Sequence, residues 1–375
     1  MCGFAGFADF GQGLVQPPQL SLDLVRRMVR RIAHRGPDGQ GAHLSQNCAL
    51  AHARLAVIDP KNGQQPLSLP WQGHQATIAY NGELYNAPEL RRDLEALGFS
   101  FSTRCDTEVA LAAYLAWGLD CPRRFNGIFA LAVDDPAAGR AFLCRDPFGV
   151  KPLFYTLREG RLVFASEIKA LFEYPGVRPV VGKEGLREIF GLGPARTPGC
   201  GVFEGIRELK PGHLAVFDRQ GFRELAYFDL EAQPLELSYP QAVERVRDLL
   251  TDAVRRQLKS DVPLCTFLSG GLDSSLVTAI AARSLGELGE KLDTYSFEFE
   301  GNSQWFRPSS FQPDRDQDWA ERVSTICGTD HTTLLCTSRE LADSLKEAVI
   351  AKDLPGMADV DGSLLGFCRQ VKRRH

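Results

Sequence analysis

The chain has 375 residues, 44% hydrophobic and 24% charged, which places it in the globular range with enough length for two separate cores. A net charge of −4 and a pI near 6.0 give no reason to expect nucleic acid or an anionic membrane as partner. Residues 1–13 lack a basic start and include Asp9, and no apolar run approaches the roughly 18 residues of a membrane span, so the reading is cytoplasmic. The ten cysteines are scattered without a C-x-x-C pair and read mostly as small buried hydrophobes.

In chain order, Cys2 comes directly behind the initiator. Once Met1 is trimmed, one residue carries an α-amine (reference pKa about 7.7–8.0) and a thiol (about 8.5), so the amine can take the thiol proton without a histidine. The alternative is a small residue that happens to follow Met1. Residues 21–33 predict a helix, with Leu22, Val25, Val29 and Ile32 on one face and Arg26, Arg27 and Arg30 outward. His34-Arg35-Gly36-Pro37-Asp38-Gly39 ends it as a turn or as a loop shaping a pocket. Residues 48–58 predict a buried strand, and Arg54 inside it must meet a carboxylate, either a structural partner or that of a substrate. Residues 77–80 predict a strand running into Asn81-Gly82-Glu83. N-G alone signals a hairpin, but Asn86 as cap, Glu89 three residues on and Leu90, Leu94 and Leu97 predict a helix closed by Gly98. Asp106 reads as the cap of another helix carrying Val109, Ala113 and Ala116, or as a site carboxylate. Strands follow at 128–134, 141–145, 153–157 and 161–165, the last two joined at Glu159-Gly160, and Lys210-Pro211-Gly212 opens a hairpin running to about Tyr227. This predicts layered α+β packing.

Residues 231–240 read as a linker. Ser238 with Gln241 then predicts a capping box for a helix carrying Val243, Val246, Leu250, Ala253 and Leu258. Strands at 264–268, 294–299 and 332–335 alternate with helices at 273–284, 319–327 and 338–351, predicting a doubly wound parallel sheet with its ligand at the carboxyl ends of the strands. The loop after the first strand, Ser269-Gly270-Gly271-Leu272-Asp273-Ser274-Ser275, combines glycines for close backbone approach, hydroxyls and a helix N-terminus, as a phosphate cradle requires. It has neither P-loop nor G-x-G-x-x-G spacing.

That S-G-G-L-D-S loop resembles the pyrophosphate loop of the ATP pyrophosphatases. Cys2-Gly3, H-R-G-P-D at 34–38, R-L-A-V-I-D at 54–59, N-G-E at 81–83 and R-D-P-F-G-V-K-P-L at 145–153 resemble the class II glutamine amidotransferase domain, an N-terminal-nucleophile αββα sandwich. Together and in this order they resemble the glutamine-hydrolysing asparagine synthetases, over essentially the whole chain. The resemblance implies a glutaminase domain at 1–230 and a synthetase domain at 241–375. It implies that Cys2 attacks the glutamine amide, that Asn81 and the Gly82 amide form the oxyanion hole, and that Arg54 and Asp106 hold the substrate's carboxylate and ammonium, helped by Glu83 and the backbone through Ile58. Ammonia would pass to the second domain, where aspartate and Mg·ATP form β-aspartyl-AMP. Ser269, Gly270, Gly271, Asp273, Ser274 and Ser275 would hold the phosphates, Asp273 also a Mg²⁺ ligand, with Phe267 and Phe299 near adenine or ribose. Glutamine, aspartate and ATP are the implied substrates, and a homodimer the implied assembly.

One departure stands out. The family's second signature, S-G-E-G-x-D-E or a near variant, is expected shortly after Val371-Lys372-Arg373-Arg374-His375, where the next strand should begin; this sequence has a single S-G, at 269. Residues 353–359 look like the segment lining the aspartate side. The expectation is therefore a complete glutaminase half and an incomplete synthetase half that, as given, makes no asparagine. The alternatives are a glutaminase-only fragment, another ATP-dependent class II amidotransferase, or a non-catalytic remnant binding nucleotide or a partner.

Overall fold

A computed structural model describes residues 1–14, 17–310 and 314–374, which divide into two compact units between Ala232 and Gln233. The first unit contains strands β1 (Gly3–Ala8), β2 (Gly39–Leu44), β3 (Cys48–Arg54), β4 (Leu67–Trp71), β5 (His74–Leu84), β6 (Gly127–Asp135), β7 (Arg140–Arg145), β8 (Phe154–Arg158), β9 (Arg161–Ala165), β10 (Ile206–Glu208), β11 (His213–Asp218) and β12 (Gly221–Ala226). Its helices are α1 (Pro18–Arg30), α2 (Ala87–Ala96), α3 (Asp106–Trp117), α4 (Ile168–Leu171) and α5 (Lys183–Gly191). Two six-stranded antiparallel sheets result, ordered β10-β8-β9-β1-β3-β2 and β12-β11-β7-β6-β5-β4.

Side-chain alternation explains why these sheets stack. Phe4, Leu50, Tyr155 and Phe164 of the first sheet fill against Ala79, Ala130, Ala132, Leu143 and Ala215 of the second. The other face of the second sheet, with Ile78, Tyr80, Phe129, Leu131 and Val133, packs under Leu90 and Leu94 of α2 and Val109 and Ala113 of α3. Helix α1, with Val25, Met28 and Val29 buried, covers the outside of the first sheet along β1 and β3. The layers run helix, sheet, sheet, helix, as expected.

Strand β3 stops at Arg54, so 55–58 is not strand. The strand expected at 77–80 runs on through Asn81-Gly82, paired with Ala130 and Phe129 of β6, and the hairpin turn set aside above does not form. Asn86 precedes α2 without capping it; its amide donates to Arg124 O and accepts from Asn126 N–H instead. Strands β1, β2, β4 and β10 and helices α4 and α5 are additional to the expected elements.

The second unit opens with α6 (Tyr239–Gln257), whose Ser238–Gln241 capping box forms as predicted, so the last two residues of the expected linker are helical. It continues with β13 (Cys265–Phe267), α7 (Leu272–Gly286), β14 (Asp293–Phe299), α8 (Asn302–Trp305), α9 (Asp316–Cys327), β15 (Asp330–Cys336), α10 (Ser338–Lys352) and α11 (Ala358–Lys372). The three strands form a parallel sheet in the order β13-β14-β15, with helices on both faces. On one face Tyr295 and Leu334 bury against Phe367 and Val371 of α11. On the other, Thr266 meets Thr278 of α7 (2.9 Å) and Ser296 donates to Gln317 of α9 (2.9 Å). Helix α11 is unforeseen, and Val371 and Lys372, read as the approach to a strand, belong to it. His375 lies outside the described residues.

Candidate active site

Cys2 immediately precedes β1, whose first residue Gly3 pairs with Ala53, so the nucleophile candidate sits where β3 ends and the chain turns away at Leu55. The thiol accepts from Leu55 N–H at 3.3 Å and lies 3.5 Å from Leu55 O. Burial pushes the thiol pKa up; the Leu55 N–H, the chain's N-terminal charge and Arg54 pull against it, while Glu83 adds to the rise.

The Cys2 carbonyl accepts from Arg35 Nε at 2.9 Å, and Arg35 is itself fixed by Glu167 at 2.7 Å. Glu167 also meets His34 at 3.0 Å and Lys169. Burial alone would raise this carboxyl, but hydrogen bonds from His34, Lys169 and Arg35 outweigh it and hold it at about 2. A carboxyl lowered in the fold contributes stability that is present above its unfolded value near 4.5 and is lost as pH falls toward about 2. Glu167→Gln is therefore expected to cost on the order of 2–3 kcal/mol at neutral pH and to flatten the dependence of unfolding free energy on pH between about 4.5 and about 2. Denaturant titrations at stepped pH check this.

Asn81 lies on the inter-sheet side of β5 with Ala79, only 1% exposed, and its Nδ2 has no hydrogen-bond partner. A buried amide donor left unpaired costs free energy, so its presence points to an acceptor absent from the chain itself. At Gly82 a Cβ would stand 2.5 Å from Ile128 O, so the adjacent strand admits only glycine there. Gly82 shares a cleft with Cys2, Arg54, Leu55, Ile58, Glu83 and Asp106.

Two of these walls differ from expectation. Among the described residues no carboxylate pairs with Arg54, so the structural ion pair is not made: its guanidinium donates to Pro60 O (2.6 Å), Asp59 O (2.7 Å) and Ile58 O (3.4 Å), pinning the segment after β3. Asp106 is the first residue of α3, with Cys105 in the cap position. Its carboxylate turns inward to accept from Leu84 N–H (2.8 Å) and Tyr80 O–H (3.0 Å), and burial raises its pKa against those bonds. Gln65, which sequence reasoning passed over, ties β5 to α3 by accepting from Tyr80 N–H (2.7 Å) and donating to Thr107 Oγ1 (3.1 Å). No local periodicity marks it.

In the second unit, described by itself, Ser269 to Gly271 links β13 to α7. The Ser269 and Ser274 hydroxyls lie 3.0 Å apart, and Ser274 Oγ donates to Gly271 O at 3.1 Å. Gly270 has φ +82°, and a Cβ there would meet Asp316 O at 2.5 Å, so glycine is required on both counts. Ser275 N–H closes the first turn of α7 on Gly271 O, and Asp273 lies in that turn. Phe267 and Phe299 are the last residues of β13 and β14, both partly exposed, at the carboxyl edge where the loop also lies.

Comparison with known proteins agrees with both units. A glutamine amidotransferase domain family matches residues 1–228 and an asparagine synthase family residues 245–375. Asparagine synthetase [glutamine-hydrolyzing] 3 of Bacillus subtilis is 46% identical over 374 residues, covering 100% of this chain and 60% of its own length. Asparagine synthetase [glutamine-hydrolyzing] 1 of the same organism is 31% identical, covering 100% and 56%. The chain thus spans less than two thirds of either relative. A glutamine phosphoribosylpyrophosphate amidotransferase structure from B. subtilis aligns over 95% of this chain and 94% of its own at 14% identity and a TM-score of 0.46. Among the described residues no helix is long and apolar enough to cross a membrane. The chain belongs to the glutamine amidotransferase domain family, and its residues 245–375 match the asparagine synthase family.

Proposed function

We propose that residues 1–230 hydrolyse glutamine to glutamate and ammonia, with Cys2 as N-terminal nucleophile once Met1 is removed. The observation that carries this is the single cleft that Cys2, Arg54, Gly82, Glu83 and Asp106 line together, with the buried Asn81 amide next to Gly82 in β5. The Cys2 α-amine takes the thiol proton as sulfur attacks the amide carbon; Asn81 Nδ2 and the Gly82 amide stabilise the oxyanion, and the proton leaves with ammonia. Arg54 and Asp106 hold the substrate's carboxylate and ammonium, with Glu83 and the Ile58 carbonyl beside them.

Residues 241–375, joined through 231–240, bind ATP in a synthetase half of the kind that, in an asparagine synthetase, passes the ammonia to aspartate. Ser269, Gly270, Gly271, Ser274 and Ser275 suit phosphate through hydroxyls and backbone approach, with Phe267 and Phe299 flanking the nucleoside. Among the described residues no three metal-ligating side chains cluster. Mg²⁺, which accepts one carboxylate plus phosphate oxygens and waters, would be held by Asp273 and the ATP phosphates themselves. A cytoplasmic homodimer completes the reading. Glutamate release from glutamine by the purified chain tests the first half, and ATP protection of the Ser269–Ser275 amides from hydrogen exchange tests the second. Absence of either removes that half of the assignment.

A further inference from the structure

The segment after β7 is a rigid platform. Asp146 accepts backbone N–H bonds from Phe148 (3.1 Å), Val150 (3.0 Å) and Lys151 (2.9 Å), while Arg145 donates to Lys151 O (2.9 Å), Gly149 O (2.8 Å) and Leu209 O (2.7 Å). Lys151 stands on that platform only 7% exposed, and its Nζ lies 3.1 Å from the sulfur of Met1. Among the described residues this is the only hydrogen bond of the ammonium, and it makes no ion pair with a carboxylate. The charged groups facing it are Arg35 from the turn after α1, Glu83 from β5, Asp146 beneath it and Cys2 ahead of β1. A buried ammonium without an anionic partner is costly, and here its one hydrogen bond among the described residues is with the residue that the proposed maturation removes.

We propose that Lys151 is a positioning residue for the nucleophile: with Met1 gone, its ammonium faces the Cys2 α-amino group and thiol across the vacated space and disfavours a second positive charge there. This rests on the reading of Cys2 as an N-terminal nucleophile. A protonated α-amine cannot accept the thiol proton, whereas a neutral one can, so a fixed neighbouring cation keeps the base in its working form. The same cation favours the negative charge that grows on sulfur and then on the carbonyl oxygen. Burial lowers the pKa of Lys151 itself, with Arg35 adding to the fall and Glu83, Asp146 and Cys2 opposing it.

The test is the pH profile of kcat/KM for glutamine hydrolysis, together with the pH dependence of Cys2 alkylation by iodoacetamide. Both are measured on the full chain as wild type, Lys151→Gln, Lys151→Met and Lys151→Arg, with intact mass recorded for each. Loss of the charge in Lys151→Gln and Lys151→Met is expected to move the acid limb of both profiles upward by on the order of one pH unit, about tenfold in rate on that limb, with the alkaline plateau largely retained. Lys151→Arg is expected to restore the wild-type limb. A profile in Lys151→Gln that superimposes on wild type, or a uniform loss at every pH with the limb unmoved, overturns the inference. If Lys151→Met does not fold, Lys151→Gln, equally neutral but able to hydrogen-bond, decides the matter. Retained Met1 in active wild type overturns the underlying nucleophile assignment instead.

Discussion

Cys2→Ala is expected to bring glutamine hydrolysis to background while the protein stays folded. The nucleophile has no substitute, because the attacking thiol and the accepting amine belong to one residue and only the amine survives the change. The structural cost is small: Cys2 is half-buried, its sulfur hydrogen-bonds among the described residues only to the Leu55 main chain, and β1 begins one residue later. Losing one weak sulfur hydrogen bond costs about 1 kcal/mol or less. A glutamate assay alongside circular dichroism melting separates chemistry from folding, and substantial turnover in the variant would refute the assignment.

Arg54→Ala is expected to raise KM for glutamine by roughly 30- to 1,000-fold, the range set by losing a buried charge-assisted contact of about 2–4 kcal/mol. The structure adds a second route to the same loss. With the guanidinium absent, the carbonyls of Ile58, Asp59 and Pro60 lose their donor, and the wall they form loosens. Arg54→Lys separates the two routes, since a lysine keeps the charge but cannot span three carbonyls. If wall-holding dominates, the lysine variant resembles alanine in both KM and melting temperature. If substrate charge dominates, it recovers most of the affinity. A normal KM in both variants would remove Arg54 from the site.

What the sequence discloses here depends on how local the cause is. Ser238 and Gln241 announce the start of α6 because a capping box is made within four residues. The loop from Ser269 to Ser275 is legible for the same reason, since strand, glycines and helix are contiguous. Asn81-Gly82 misleads when read alone, because the glycine answers to Ile128 of a neighbouring strand and not to its own backbone. Arg54 shows the limit of charge reasoning: a buried guanidinium can be satisfied by carbonyls as well as by a carboxylate, and nothing in its own strand says which.

Other features were hidden by composition or distance. Strands β2 (GQGAHL) and β4 (LSLPW) carry glycine and proline that strand rules penalise, yet both pair fully with their neighbours. Helix α11 includes Gly362 and Gly366, which weakens its signal; what holds it is the apolar sheet face it covers. Glu167 and Lys151 lie more than 130 residues from the partners that give them meaning, Arg35 and Met1, so only the folded chain connects them to Cys2.

The most direct test of the account is to mix the purified chain with glutamine, quench in acid within the first turnovers and map the N-terminal peptide by mass spectrometry. A Cys2 nucleophile gives a peptide that begins at Cys2 and carries one added γ-glutamyl group on that cysteine. Glutamate formed by a chain that retains Met1, or turnover with Cys2 unmodified at every quench time, would contradict it.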